Sequence, residues 1–140
     1  MRALVQRVAR AAVDVDGERV AEIAGGMLVL LGVHREDGVA AADRVVRKLL
    51  ALRIFEDAGG RKNLSVADAG GEILCVSQFT LYGDARRGNR PSFVEAAPPE
   101  VAEPLYERVC AGLAASRGRF GARMQIELVN DGPVTVLVEV

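Results

Sequence analysis

The residues best placed to do chemistry in this chain stand where apolar runs end. Ser77-Gln78-Phe79-Thr80-Leu81 continues the run Ile73-Leu74-Cys75-Val76 and brings two hydroxyls and a carboxamide together. In an extended strand, alternation sends Ser77, Phe79 and Leu81 to one face and Gln78 and Thr80 to the other. Such groups orient or polarise a substrate through hydrogen bonds. Hydroxyls at a strand end equally serve local backbone, and the pattern alone leaves both readings open. A second candidate is Asn130-Asp131-Gly132-Pro133-Val134-Thr135, where turn residues run straight into a β-branched strand. Taken by itself, that segment predicts a hairpin turn. Between the two lies Arg86-Arg87-Gly88-Asn89-Arg90-Pro91-Ser92-Phe93, with three arginines in five positions. Guanidinium forks suit phosphate; a solvated charged loop is the plain alternative. Arg117, Arg119 and Arg123 make a second, weaker basic group, because Glu103 and Glu107 lie close enough in sequence to offset them.

The conventional catalytic inventory is thin. The single histidine, His34, follows an apolar strand and precedes a polar turn, as an ordinary turn histidine does. HExxH, Walker and GxSxG patterns are absent, which argues against a metalloprotease, a nucleotidase and a serine hydrolase. No ligand cluster points to a metal, and no cofactor is expected. Chemistry here must therefore use hydroxyls, main-chain groups or groups of the substrate.

Positioning these residues falls mainly to strands. Ala3–Val8 and Ala12–Val15 read as two strands, Asp16-Gly17 as a hairpin turn, and Arg19–Glu22 as a short return strand. Met27–Val33 is apolar on both alternating faces and predicts a central buried strand. From Asp37 to Leu50 the period changes: Ala42, Val45, Val46, Leu49 and Leu50 share one helical stripe, with Asp37 as the expected N-cap. Arg53–Glu56 is a further candidate strand, 57–63 a loop, and Ile73–Leu81 a second buried strand. Residues 82–98 form a long loop of the kind that carries function. Val101, Leu105, Val109 and Leu113 mark a second helix, in which Pro104 predicts a kink or a later start. Two closing strands, Met124–Val129 and Pro133–Val140, are expected to be joined at Asn130-Asp131-Gly132.

With 140 residues, half of them hydrophobic, the chain suits one domain spanning 1–140 and needs no disulfide to fold. Strands outnumber two well-separated helices, so the fold class is α+β. Cys75 and Cys110 sit in apolar stretches without CxxC spacing and read as buried, reduced thiols. The N-terminus lacks the apolar core of a secretory signal and no apolar run approaches the ~20 residues of a membrane span, which predicts a cytoplasmic protein without a membrane partner. A net charge of -1 argues against an affinity-driven binder of DNA or RNA, but leaves room for an enzyme that meets RNA through one local patch.

Five blocks in order, Met1–Val8, Arg53-Ile54-Phe55, Ser77–Leu81, Arg90-Pro91-Ser92-Phe93 and Asn130–Thr135, resemble the bacterial and eukaryotic type of D-aminoacyl-tRNA deacylase over essentially the whole chain. The resemblance implies a homodimer of small α+β subunits, each with a curved, barrel-like mixed sheet and two main helices. It also implies hydrolysis of the ester in D-aminoacyl-tRNA, and of glycine mischarged on tRNA-Ala. Ser77, Gln78, Phe79 and Thr80 would form the catalytic pocket, lined also by Met124. Gly132 and Pro133, in the cis form, would reach in from the partner subunit to exclude L substrates. Arg86, Arg87 and Arg90 would contact tRNA. Main-chain N–H groups around Phe79 would polarise the carbonyl and the ribose 2′-hydroxyl would assist water; a covalent Thr80 is the less favoured route, since no base adjoins it in sequence. Pro104 and the short Ser116-Arg117-Gly118 connection depart from the commonest members. A non-catalytic RNA-binding module and a general small-ester hydrolase remain the competing classes.

Overall fold

The first strand of the sheet is longer than the sequence predicts. In the computed structural model, which describes residues 1–140, β1 runs unbroken over Arg2–Val15, followed by β2 (Glu18–Ile23) and β3 (Gly26–Gly32). Helix α1 (Val39–Ala51) precedes the small hairpin β4 (Phe55–Glu56) and β5 (Lys62–Leu64). Strand β6 (Glu72–Ser77), a 3-10 turn (Phe79–Tyr82), α2 (Pro99–Leu113), β7 (Ser116–Arg117) and β8 (Gln125–Glu139) complete the chain.

The main sheet has the order β2-β1-β3-β6-β7, with β8 on the remaining edge of β1. Pairs β3–β6 and β6–β7 are parallel, and the others in this sheet antiparallel. The sheet curls until β2 meets β6 and β7, giving a nearly closed, barrel-like single domain with two helices packed outside it.

Alternation along the central strands divides the core in two. Met27, Val29 and Leu31 of β3, with Ile73 and Cys75 of β6, join the 24-residue core beneath the helices. Leu28 of β3, with Leu74 and Val76 of β6, faces an 8-residue core inside the curl. Both faces are apolar because both are covered, as in parallel strands generally. Each fully buried Leu or Val contributes roughly 1.5–3 kcal/mol. In β1 the odd positions Ala3 and Val5 join the larger core and the even Val8 the smaller, but beyond Val8 the odd positions Ala11 and Val13 turn into the smaller core instead. The irregular pairing with β8 around Val8 absorbs this switch, which is why one strand reads as two.

Other expectations are corrected as well. Asp37 is not the cap of α1: Gly38 occupies that position without a side-chain cap. The Asp37 carboxylate instead accepts the His34 N–H at 2.7 Å and pairs with the Met1 ammonium at 2.9 Å. Lys62 and Asn63, expected in a loop, belong to the strand Lys62–Leu64. Helix α2 starts at Pro99 and runs on through Pro104 rather than starting later. Cys75 and Cys110 are buried and unbridged; the neighbouring Cys110 thiol and burial push the Cys75 thiol well up, so it stays protonated.

Candidate active site

Strand β6 ends at Ser77, and Phe79–Tyr82 turns away as a 3-10 helix instead of continuing the strand. The alternating-face expectation for Ser77 to Leu81 is therefore wrong beyond Ser77. The run of apolar residues conceals the turn, which tertiary contacts hold: the Gln78 N–H donates to the Leu31 carbonyl at 2.8 Å, and Arg2 Nη1 donates to the Leu81 carbonyl at 2.9 Å. Phe79 and Thr80 begin the turn, where the first N–H groups have no acceptor inside the helix.

Beside this turn lies a cleft of about 530 Å³, within the range of small-ligand sites. Ser77, Gln78 and Phe79 form one wall, and Val33, Ala97, Pro99 and Ala102 another. Phe120, Gly121, Ala122, Met124 and Ile126 close it opposite. No lining residue carries a titratable side chain. Ser77 and Gln78 supply the polar side-chain groups. Gln78 Nε2 donates a short hydrogen bond to Thr80 Oγ1. The exposed Phe79 ring meets Phe93 edge-on, with centroids 5.3 Å apart.

The cleft brings together Ser77, Gln78, Phe79 and Met124 but not Thr80, Gly132 or Pro133. Thr80 is exposed and touches the site through Gln78. His34 is a turn residue: its Nδ1 accepts the Glu36 N–H at 3.1 Å, and its ring meets Tyr82 edge-on at 5.2 Å. In the arginine loop, Arg86 is engaged by the Asp84 carboxylate, with Nη2 to Oδ2 at 2.7 Å, while Arg87 and Arg90 are exposed without an ion-pair partner.

Strand β8 is continuous, so Asn130-Asp131-Gly132 is a bulge and not a hairpin turn. Asn130 sits opposite Val8 and Thr135 opposite Gln6, five steps along β8 against two along β1. The surplus residues project from the sheet, leaving Asp131, Gly132 and Pro133 exposed. The Gly132-Pro133 peptide is cis. Gly132 has φ +133°, and a Cβ there would lie 2.9 Å from Val134 N and 3.1 Å from Arg7 Nη2, so glycine is required.

Arg7 holds the bulge and was missed in the sequence, although an arginine amid Leu4, Val5 and Val8 was the available signal. It is 7% exposed. Its Nε donates to the Asp131 carbonyl at 3.1 Å and its Nη1 to the Ile54 carbonyl at 2.8 Å. The Glu56 and Asp131 carboxylates stand 3.7 and 3.6 Å away. The Asn130 amide ties the bulge to the Arg7 and Val134 carbonyls.

The opposite wall was also not legible, since Ala97, Ala102, Phe120 and Ala122 carry no chemical signature. It is fixed by packing. Phe120 rests on Tyr106 with centroids 5.8 Å apart, and the Tyr106 hydroxyl donates to the Cys75 carbonyl at 2.8 Å. A Cβ at Gly118 would stand 2.7 Å from Met124 Sδ, so glycine lets the loop close over that side chain.

The chain is similar in sequence and in fold to known proteins. Residues 4–139 match the sequence model of the family described as D-Tyr-tRNA(Tyr) deacylase. A D-aminoacyl-tRNA deacylase of Anaeromyxobacter dehalogenans is 59% identical, the match covering 99% of this chain and 97% of the relative. One from Myxococcus xanthus is 54% identical, covering 99% and 94%. A solved structure described as a c-Myc DNA unwinding element binding protein superposes with TM-score 0.93 at 45% identity, covering 100% of this chain and 99% of that one. Another, described as a probable eukaryotic D-amino acid tRNA deacylase, shares the fold at TM-score 0.87 and 19% identity, covering 99% and 98%.

Proposed function

The chain belongs to the D-Tyr-tRNA(Tyr) deacylase family and is a hydrolase of the ester in D-aminoacyl-tRNA, and we propose that the cleft beside Ser77, Gln78 and Phe79 receives the aminoacylated terminal adenosine. The observation that carries this reading is the cleft's lining: a wall of main chain and neutral polar groups, with no side chain able to act as acid or base. Water attacks the ester carbonyl, and main-chain N–H groups around Phe79 stabilise the oxyanion. The ribose 2′-hydroxyl assists the proton transfer. The bond to the 3′ oxygen breaks; the acyl group keeps the water's hydroxyl and the ribose oxygen takes the proton, releasing free amino acid and tRNA. Thr80 positions Gln78 through their hydrogen bond and forms no covalent intermediate. Arg87 and Arg90, with Arg86 held by Asp84, face the tRNA body.

Selectivity rests on a second copy of the chain. Gly132 and Pro133 are exposed and lie outside their own subunit's cleft, so in a homodimer they are free to enter the partner's. Apolar discrimination between small groups is worth only about 1–3 kcal/mol. Strong rejection of the L isomer needs a hard obstacle, and the Arg7-braced bulge provides one. Glycine presents no side chain to that obstacle, so glycyl-tRNA charged on tRNA-Ala is also cleaved. A tRNA substrate favours a cytoplasmic site of action. No helix is long and apolar enough to cross a membrane. Although one structural relative is described by a DNA element, a net charge of -1 and an apolar cleft favour a 3′ end over duplex DNA here.

The bulge's carbonyls also hold the substrate α-ammonium, so altering it impairs cleavage of the D ester itself, and co-expression of two inactive variants tests the shared site. Ala122→Trp fills the cleft and keeps the bulge, while Pro133→Ala alters the bulge and keeps the cleft. In a random symmetric dimer mixture, activity toward D-tyrosyl-tRNA should recover to about a quarter of normal. No recovery from folded, mixed dimers would contradict a site built from both subunits.

A further inference from the structure

The loop that closes the cleft, residues 118–124, carries two arginines whose electrostatic surroundings differ from those of a third beside it. Arg117, just before it, is neutralised by the Glu107 carboxylate. Arg119 and Arg123 are exposed and have no carboxylate within ion-pair distance, whereas Arg10, Arg19, Arg86 and Arg108 all do. Of the two acidic neighbours suggested by sequence, Glu107 pairs with Arg117, and Glu103 pairs with no arginine.

Both arginines are direct chain neighbours of residues that line the cleft. Arg119 precedes the lining residue Phe120, and Arg123 lies between the lining residues Ala122 and Met124. The loop is braced from four directions. The Gly118 N–H donates to the Cys75 carbonyl at 3.3 Å, and the Arg119 N–H to Met124 Sδ at 3.4 Å. The Ala122 N–H closes a turn on the Arg119 carbonyl at 3.1 Å, and Phe120 is anchored on Tyr106. Two arginines without a carboxylate partner therefore stand on a braced loop that lines an uncharged cleft.

We infer that Arg119 and Arg123 bind the phosphodiesters immediately preceding the terminal adenosine. This rests on the reading of the cleft as the site of that adenosine. A strand whose last nucleoside lies in the cleft must carry its preceding phosphates out over the rim, and guanidinium forks match phosphate oxygens. With no overall positive charge to attract RNA, local cations of this kind must hold the strand.

The test compares the Arg119→Ala/Arg123→Ala protein with the unaltered one on D-tyrosyl-tRNA and on D-tyrosyl-adenosine, which lacks those phosphates. The KM for the tRNA ester should rise about tenfold, with kcat changed less than about twofold. The slope of log(kcat/KM) against log salt should become shallower by about 1.4, two phosphates at roughly 0.7 each. The effect on D-tyrosyl-adenosine should be several-fold smaller, and Arg119→Lys/Arg123→Lys should restore most of the salt slope. An unchanged KM and salt slope with tRNA, or equal losses on both substrates, would overturn the inference. Failure of the unaltered protein to cleave either ester would instead remove the cleft reading itself, and this inference with it.

Discussion

Arg7 Nε and the Asp131 carbonyl lie 3.1 Å apart, joining the middle of β1 to the bulge that β8 throws out beside Gly132 and Pro133. The same guanidinium donates to the buried side of the structure at Ile54. One largely buried cation therefore sets where an exposed segment projects.

Arg7→Met is expected to lower stability by roughly 1–3 kcal/mol, the cost of leaving a buried acceptor such as the Ile54 carbonyl unpartnered. It should also let the bulge wander, so that cleavage of L-tyrosyl-tRNA rises relative to the D ester. Chemical denaturation and the ratio of the two rates measure the separate effects. A variant as stable and as selective as the parent would show that the Arg7 contacts are dispensable.

Thr80→Ala and Ser77→Ala are each expected to retain activity within about a hundredfold, because loss of a positioning hydrogen bond costs less than loss of a nucleophile, by roughly 1–3 kcal/mol. Single-turnover hydrolysis of D-tyrosyl-tRNA decides this. Complete inactivity of a folded Thr80→Ala protein would restore the covalent mechanism.

The pH dependence of kcat should owe nothing to His34, which is committed to the turn at Glu36 and to Tyr82. The curves of His34→Ala and the unaltered protein should superimpose from pH 5 to 8. A limb that disappears in the variant would make His34 a participant.

The Arg86 guanidinium beside Asp84 holds its carboxyl down to about 2. A depressed carboxyl supplies its stabilisation above the ordinary value near ~3.9 and loses it as pH falls through the folded value. The relevant window is therefore between about 4 and 2, far below working pH, and exposure keeps the contribution small. In Arg86→Ala, the Asp84 midpoint measured by NMR should return toward the ordinary carboxylate range; an unmoved midpoint would assign the shift to backbone contacts.

What could be read from the sequence divides along a physical line. The apolar double-faced runs 27–33 and 73–76, the α1 stripe and the Asp16-Gly17 turn depend on local pattern, and they were legible. The turn at Phe79, the union of 3–8 with 12–15, and the bulge at Asp131 depend on pairings between segments far apart in the chain. Strong turn residues at 130–132 looked like a hairpin because nothing local reveals that both flanks pair with the same strand. Of the residues singled out in the sequence, Ser77, Gln78, Phe79 and Met124 line one cleft, while its apolar far wall was not legible, since small alanines have no chemistry to announce. The neutralisation of Arg117 and Arg86, against the freedom of Arg119 and Arg123, is likewise a property of side-chain geometry that spacing does not encode.

The most direct test of the account is the rate at which the purified protein hydrolyses D-tyrosyl-tRNA and L-tyrosyl-tRNA under the same conditions. Rapid release of D-tyrosine, with the L ester decaying only at its spontaneous rate, is the expected result. Equal cleavage of both esters, or of neither, would contradict a cleft that hydrolyses the ester and a bulge that selects its stereochemistry.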